Sequence, residues 1–218
     1  MTNEELAGMI DHTFLKAAGA ADAIEKLCEE VRTYKFACAM VNPGQVARAV
    51  RLLGDAGRVG TVIDFPLGQG TPPSAIRDAE EAIALGARDI DFVIDVRKLK
   101  YGSADDLRRE LAARAATCHA HAGVVAKLII ECCYLTDDEK VRACLLARDA
   151  GFDFVKTSTG FGTGGATVAD VALMRRTVGP AMGVKAAGGI HTRAEALALI
   201  AAGATRLGCS AGVAILNG

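Results

Sequence analysis

Four short, mainly apolar segments carry charged residues that could do chemistry: Asp91 in DIDFVID, Lys127 in VVAKLII, Lys156 in GFDFVKTSTG and Lys185 in MGVKAAGG. An ammonium in an apolar wall must be paired or must shed its proton. A lysine held neutral in this way is a nucleophile suited to imine formation with a carbonyl, and Lys156 is well placed for it, at the end of the run Phe152, Phe154 and Val155. With Asp89 to Asp95 taken as a strand, Ile90, Phe92 and Ile94 share one face and Asp91, Val93 and Asp95 the other. In Val124 to Ile130, Leu128 and Ile130 face one way, while Lys127, Ile129 and then Glu131 face the other. Three lysines set against one or two carboxylates leave a positive surplus. Such an interior is either a catalytic constellation or a buried ion-pair network, and the surplus favours catalysis. One amine would attack a carbonyl while a carboxylate and a second amine shuttle protons between imine and enamine, chemistry that needs neither metal nor pyridoxal phosphate. Lys127 and Glu131 are expected to pair within the same interior and tune Lys156.

Short apolar runs alternate along the chain with longer amphipathic stretches, the signature of parallel strands joined by crossover helices. A first helix near Asn3 to Gly8 precedes a strand over Met9 to Thr13 and a helix over Ala21 to Tyr34. Strands then follow at Phe36 to Val41, Val59 to Ile63, Asp89 to Asp95, Val124 to Ile130, Phe152 to Thr157, Met182 to Ala186 and Thr205 to Cys209. Between them lie helical patterns near Gly44 to Ala56, Ser74 to Leu85, Ala104 to Ala122, Asp137 to Ala150, Thr167 to Val178 and Thr192 to Ala201. This rhythm predicts an α/β fold, a single (β/α)8 TIM barrel with a short N-terminal helix, as one domain over residues 1–218. An open doubly wound sheet is the rival. The inward-facing charges favour a closed interior.

Three glycine-rich segments follow the last strands: Gly160 to Gly165, Ala187 to Ile190, and Gly208 to Gly212. Loops at this end of a barrel often hold phosphate. Gly160, Gly162 and Gly165 also match a dinucleotide fingerprint, but the acid expected about 20 residues later is missing around Met182 to Lys185. His119 and His121 are two apart on a helix pattern and diverge, so they share no metal from one face. His12 reads as core packing, and His191, which follows Gly188-Gly189-Ile190 and could approach an anion, reads first as an exposed loop residue. Cys132 and Cys133 follow Glu131 and could line the barrel mouth.

Acidic and basic residues nearly balance, 26 against 25 with a net charge of −1, so there is no footprint for nucleic acid or an anionic membrane. No secretory leader pattern opens the chain, and no run reaches the roughly 18 apolar residues a membrane span needs. A cytoplasmic protein is the expectation. Seven cysteines without a CxxC pair read as reduced thiols and indicate neither a disulfide framework nor a zinc site.

The motifs DIDFVID, KLIIE, FVKTSTGF and GVKAAGGI, in this order, with IDHTFLK near the start and VNP at residues 41 to 43, resemble those of the deoxyribose-phosphate aldolases. The resemblance covers nearly the whole chain. It implies a class I aldolase on a TIM barrel, cleaving 2-deoxy-D-ribose 5-phosphate reversibly to D-glyceraldehyde 3-phosphate and acetaldehyde. Lys156 would form the Schiff base, with Lys185 and Asp91 in the proton relay. Gly188, Gly189 and Ser210, beside Gly160 and Gly208, would hold the phosphate of a small phosphorylated sugar, and Asp11 and Thr13 would lie near the sugar hydroxyls. Members of the family are commonly dimers or tetramers. This chain departs from the family pattern at Asp64, where glycine is usual, at Asp95, where asparagine is common, at Ala211, which removes a hydroxyl, and in ending at Gly218 without a terminal tyrosine. Two other readings stay open: a phosphate-binding barrel isomerase or synthase in which Lys156 acts only electrostatically, and a barrel that binds a metabolite without catalysis.

Overall fold

Strands buried on both faces are apolar at most positions, and the eight short strands that form here are largely apolar on the face toward the helices, while several carry charged residues on the other. The computed structural model describes residues 1–218. The strands β1 (Ile10–Phe14), β2 (Cys38–Val41), β3 (Val59–Ile63), β4 (Asp89–Val93), β5 (Val125–Ile129), β6 (Phe154–Lys156), β7 (Gly183–Ala187) and β8 (Arg206–Cys209) pair in chain order as one closed parallel barrel. Closure is made where β8 meets β1, with Asp11 opposite Gly208. The fold is the TIM barrel the alternating pattern predicts.

Ten helices accompany the strands: α1 (Asn3–Ala7), α2 (Ala23–Tyr34), α3 (Val46–Leu53), α4 (Pro72–Ala84), α5 (Val96–Tyr101), α6 (Ala104–His119), α7 (Asp137–Asp149), α8 (Val168–Val178), α9 (Arg193–Ala201) and α10 (Gly212–Asn217). Their starts follow capping chemistry. Thr2, Thr136 and Thr192 each form a reciprocal box with a glutamate three residues on, which satisfies two orphan N–H groups at once. The stretch Gly44 to Ala56 resolves into α3 flanked by two single 3-10 turns. Two helices, α5 and α10, are not foreshadowed by periodicity, since six residues make too few turns to show a stripe. Asp95, read above as an inward strand residue, lies beyond the end of β4. Its carboxylate instead caps α5 by accepting from Lys98 N at 2.9 Å, and it also accepts from Gln69 Nε2 at 3.0 Å.

Strand parity sorts the side chains. Ile90, Phe92, Ala126, Leu128, Val155, Val184 and Ala186 point outward into the main core between barrel and helices. Phe92 packs edge-on against Phe152, with centroids 6.1 Å apart. Inside the barrel the two halves differ. Leu15, Cys38, Met40 and Val62 form an apolar plug on the β1 to β3 side. A side chain at Gly60 would collide with Met40 Sδ and the Asp89 backbone, so glycine lets that plug fill the barrel. The other half of the interior is ionic.

Candidate active site

Adjacent strand register sets the ionic half. Asp91 lies beside Lys127 on β4 and β5, and Lys156 beside Lys185 on β6 and β7. Asp91 Oδ2 accepts from Lys156 Nζ at 2.9 Å and from Lys185 Nζ at 2.8 Å, which places the two amines on one carboxylate oxygen. Lys127 Nζ stands 3.1 Å from Asp91 Oδ1 and donates to Asp89 Oδ1 at 2.6 Å. Asp11 Oδ2 takes Lys185 Nζ at 2.5 Å, with Lys127 Nζ 3.6 Å away. Two arginines close the network, Arg206 on Asp11 at 3.0 Å and Arg58 on Asp89 at 2.8 Å.

The expected imbalance of three lysines against one or two carboxylates is corrected here, because Asp11 and Asp89 join Asp91 and match the lysines one for one. Arg58 and Arg206 then restore the positive surplus from the outer ends of the network. Titration follows position. Burial is the largest influence on Lys156 and lowers its pKa, Asp91 opposes it, Lys185 and Lys127 reinforce it, and the amine comes down to about 8. For Lys127, burial acts downward too, but Asp89, Asp91 and Asp11 outweigh it and hold the ammonium well above the ordinary lysine range. Burial alone would raise Asp91, yet Lys127, Lys156 and Lys185 hold its carboxyl well below the usual range. Asp11 is likewise brought down to about 2, against burial, by Lys185, Lys127 and Arg206. Within this cluster, Lys156 is therefore an amine able to be uncharged near neutral pH.

Lys156 is also where the network meets solvent. A cavity of about 450 Å3 opens at the C-terminal ends of β1, β6, β7 and β8, and Lys156, Thr13, Gly160, Gly188, Gly189, Gly208 and Ser210 all line it. Asp91 and Lys185 stand behind Lys156 and do not line the cavity. Backbone packs on backbone along one wall: a Cβ at Gly165 would lie 2.2 Å from Gly188 O, and Gly188 itself has φ +86°. Gly208 leaves room for Lys185, whose Cε would lie 3.0 Å from a Cβ there. No carboxylate lines the cavity, and its basic side chains are Lys156, Lys16 and His191.

Asp11, expected near the sugar hydroxyls, does not line the cavity. It is fully buried, and both of its oxygens are taken by Lys185, Lys127 and Arg206 below the cavity floor. Asp11, Cys38 and Asp89 bring one donor atom each within 4.8 Å of one another, as a cation site would. Lys127 already lies against both carboxylates, and burial keeps the Cys38 thiol well above its usual range, so this donor set fits an ammonium better than a metal. Among the other residues weighed, His12 bonds Glu30 at 2.7 Å under Phe36, and Cys132 is buried against Met174. His191, just after Gly188-Gly189-Ile190, does line the cavity.

The pairing expected between Lys127 and Glu131 does not form. Lys127 is engaged by Asp89, Asp91 and Asp11, and Glu131 lies beyond the end of β5. Glu131 instead turns at a left-handed backbone, φ 55°, and accepts from Thr159 N at 3.2 Å and from the Thr159 hydroxyl. It thereby holds the loop that follows Lys156. Glu131→Ala is expected to leave these buried donors unpartnered, at a cost of about 1–3 kcal/mol in unfolding free energy by denaturant titration. Asp64, the acid near the mouth, sits at φ 60°, a conformation glycine adopts freely, and its carboxylate reaches Arg114 at 3.1 Å and Gly70 N at 2.6 Å.

A titratable lysine at the C-terminal mouth of a closed barrel, with a carboxylate and a second amine directly behind it, is the arrangement of a lyase of the class I aldolase type. The family model described as DeoC/LacD family aldolase matches residues 6–218, and the chain belongs to this family. A deoxyribose-phosphate aldolase of Bacteroides thetaiotaomicron is 56% identical over 215 residues, 98% of this chain and 90% of the relative. One from a Geobacillus strain is 53% identical over 98% of this chain and 95% of its own length. The tetrameric deoxyribose phosphate aldolase of Aeropyrum pernix superposes with a TM-score of 0.92 at 30% identity, covering 99% of this chain and 91% of that one.

Proposed function

We propose that residues 1–218 form one aldolase domain that cleaves 2-deoxy-D-ribose 5-phosphate reversibly to D-glyceraldehyde 3-phosphate and acetaldehyde through an imine on Lys156. The observation that carries this reading is the Lys156 amine, brought down to about 8 and exposed only to the cavity, in a chain of the aldolase family. Lys156 Nζ attacks C1 of the open-chain sugar, and the carbonyl oxygen leaves as water, so the carbon–nitrogen double bond becomes a cationic imine. Removal of the C3 hydroxyl proton then breaks the C2–C3 bond. Its electron pair passes into the imine as an enamine, and C3 departs as an aldehyde. A proton delivered to C2 and the addition of water release acetaldehyde and restore the amine. Asp91, whose Oδ2 accepts from Lys156 Nζ at 2.9 Å and from Lys185 Nζ at 2.8 Å, would relay these protons together with Lys185.

The phosphate belongs at the glycine wall. Gly160, Gly188, Gly189, Gly208 and Ser210 line it together with Thr13, Lys16 adds a cation and His191 an imidazole, and no acid is there to repel an anion. A homo-oligomer belongs to the same reading, supported by the tetrameric Aeropyrum relative, as does a cytoplasmic location; no helix is long and apolar enough to cross a membrane.

Borohydride reduction in the presence of acetaldehyde tests the central step. A two-carbon adduct on the peptide carrying Lys156 is the expected result. Recovery of that peptide unmodified would reject the aldolase reading and favour a barrel in which Lys156 acts only through its charge.

A further inference from the structure

Two loops three strands apart meet above the barrel. Phe65, just after β3, and Phe161, in the loop after β6, pack edge to face with centroids 5.2 Å apart and planes at 85°. Both loops are tied down. Asp64 is held by Arg114, which is 3% exposed and also donates to Val93 O at 2.9 Å, and Gly68 N donates to Asp64 O at 2.7 Å. On the other side Phe161 N donates to Thr159 Oγ1 at 3.0 Å, and Thr159 is itself gripped by Glu131. Phe161 is 54% exposed, so its position owes more to Phe65 and this loop anchoring than to burial.

The ring stands at a boundary. On one side is the Lys156 cavity; on the other is a smaller pocket of about 80 Å3 whose walls include Leu67, Val93, Val96 and Tyr134. Thr159 and Phe161 line both, and so they form the partition between them. Nothing charged reaches the small pocket except the Glu131 carboxylate, which is engaged by Thr159. Its chemistry suits alkyl groups. We infer that Phe161, braced by Phe65, is a specificity-determining residue that limits the aldehyde condensing with Lys156 to a short chain by closing off the apolar pocket behind it. Asp64 is the positioning residue for the brace, through Arg114. The inference rests on the imine reading of Lys156 above.

The test compares butanal with acetaldehyde as the aldehyde trapped on Lys156 by borohydride, in the wild type and in Phe161→Ala. Opening the partition is expected to raise the butanal-to-acetaldehyde ratio of trapping rates about tenfold or more, since two further methylenes gain an apolar site. Asp64→Asn, which weakens the hold of Arg114 while leaving every cavity wall in place, is expected to raise the ratio by a smaller factor. A ratio that stays within about twofold of the wild type in Phe161→Ala, with Lys156 still trapped by acetaldehyde, overturns the inference. Failure of any aldehyde to trap Lys156 in the wild type instead overturns the proposed function. If the alanine variant does not fold, Phe161→Leu carries the same comparison, because it removes the aromatic edge and retains an apolar side chain.

Discussion

Lys156→Arg should abolish aldol cleavage while leaving the barrel folded. The guanidinium keeps a positive charge against Asp91, so the ion-pair network retains its balance, but it cannot surrender a proton near neutral pH and so cannot attack a carbonyl. Loss of a covalent nucleophile costs far more than loss of a charge contact, and kcat/KM is expected to fall on the order of 10^4-fold or more. No borohydride adduct should form on the peptide carrying residue 156. A purely electrostatic role predicts the opposite pattern, since a cation at the same place would preserve most of the activity. Steady-state kinetics and mass spectrometry of the same variant therefore separate the two, and a fall of less than about tenfold would exclude imine catalysis at this residue.

Strand parity is why so much of this site could be read in the chain. Asp91, Lys127, Lys156 and Lys185 occupy alternating positions in apolar runs, and a period of two sends each to the inside of a closed sheet. Asp89 obeys the same parity two residues before Asp91, so the third carboxylate was within reach of that argument. Arg206, two residues before Gly208 on β8, was as well. Parity says which residues are inside but not how deep. That is why Asp11 lies beneath the cavity in contact with Lys185, while Thr13, one pleat further along β1, lines it. Loop residues have no period at all. Lys16, Phe161 and His191 share one cavity only because barrel closure brings the ends of β1, β6 and β7 together, and no local pattern announces that meeting. Glu131 shows the limit from another direction. Alternation along β5 carries it inward, but a left-handed residue at the strand end rotates its carboxylate toward Thr159 and away from Lys127.

Asp91→Asn should have the second largest effect, with a signature in pH as well as in rate. Asp91 is fully buried and is the only carboxylate in contact with all three lysines, at 2.9, 2.8 and 3.1 Å. Asparagine fills the same space and keeps one acceptor but loses the charge, so three amines must share Asp11 and Asp89. Breaking a buried pair in this way costs about 3–5 kcal/mol. Part of that cost can be relieved if Lys156 gives up its proton, because Asp91 is the chief influence holding the Lys156 pKa up against burial. In the wild type the rising limb of kcat/KM against pH is expected near 8. In Asp91→Asn it should move to lower pH, while the plateau falls about 10^2–10^4-fold through loss of the proton relay.

Stability should carry the matching signs. With Lys156 near 8 when folded against an ordinary 10.5, the folded protein binds fewer protons between those values, so wild-type stability rises with pH across that window. The variant should begin that rise at lower pH. At the acid end Asp91, depressed below its ordinary 3.8, contributes stability that is present above that value and lost as pH falls, and the variant should lack that share of the acid decline. Thermal unfolding measured from acid to alkaline pH distinguishes this from a simple packing defect, which would lower the melting temperature equally at every pH. A downward displacement of the activity limb together with a shallower acid limb in stability would tie both effects to one carboxylate. An unmoved activity limb would mean that Asp91 does not govern the Lys156 amine.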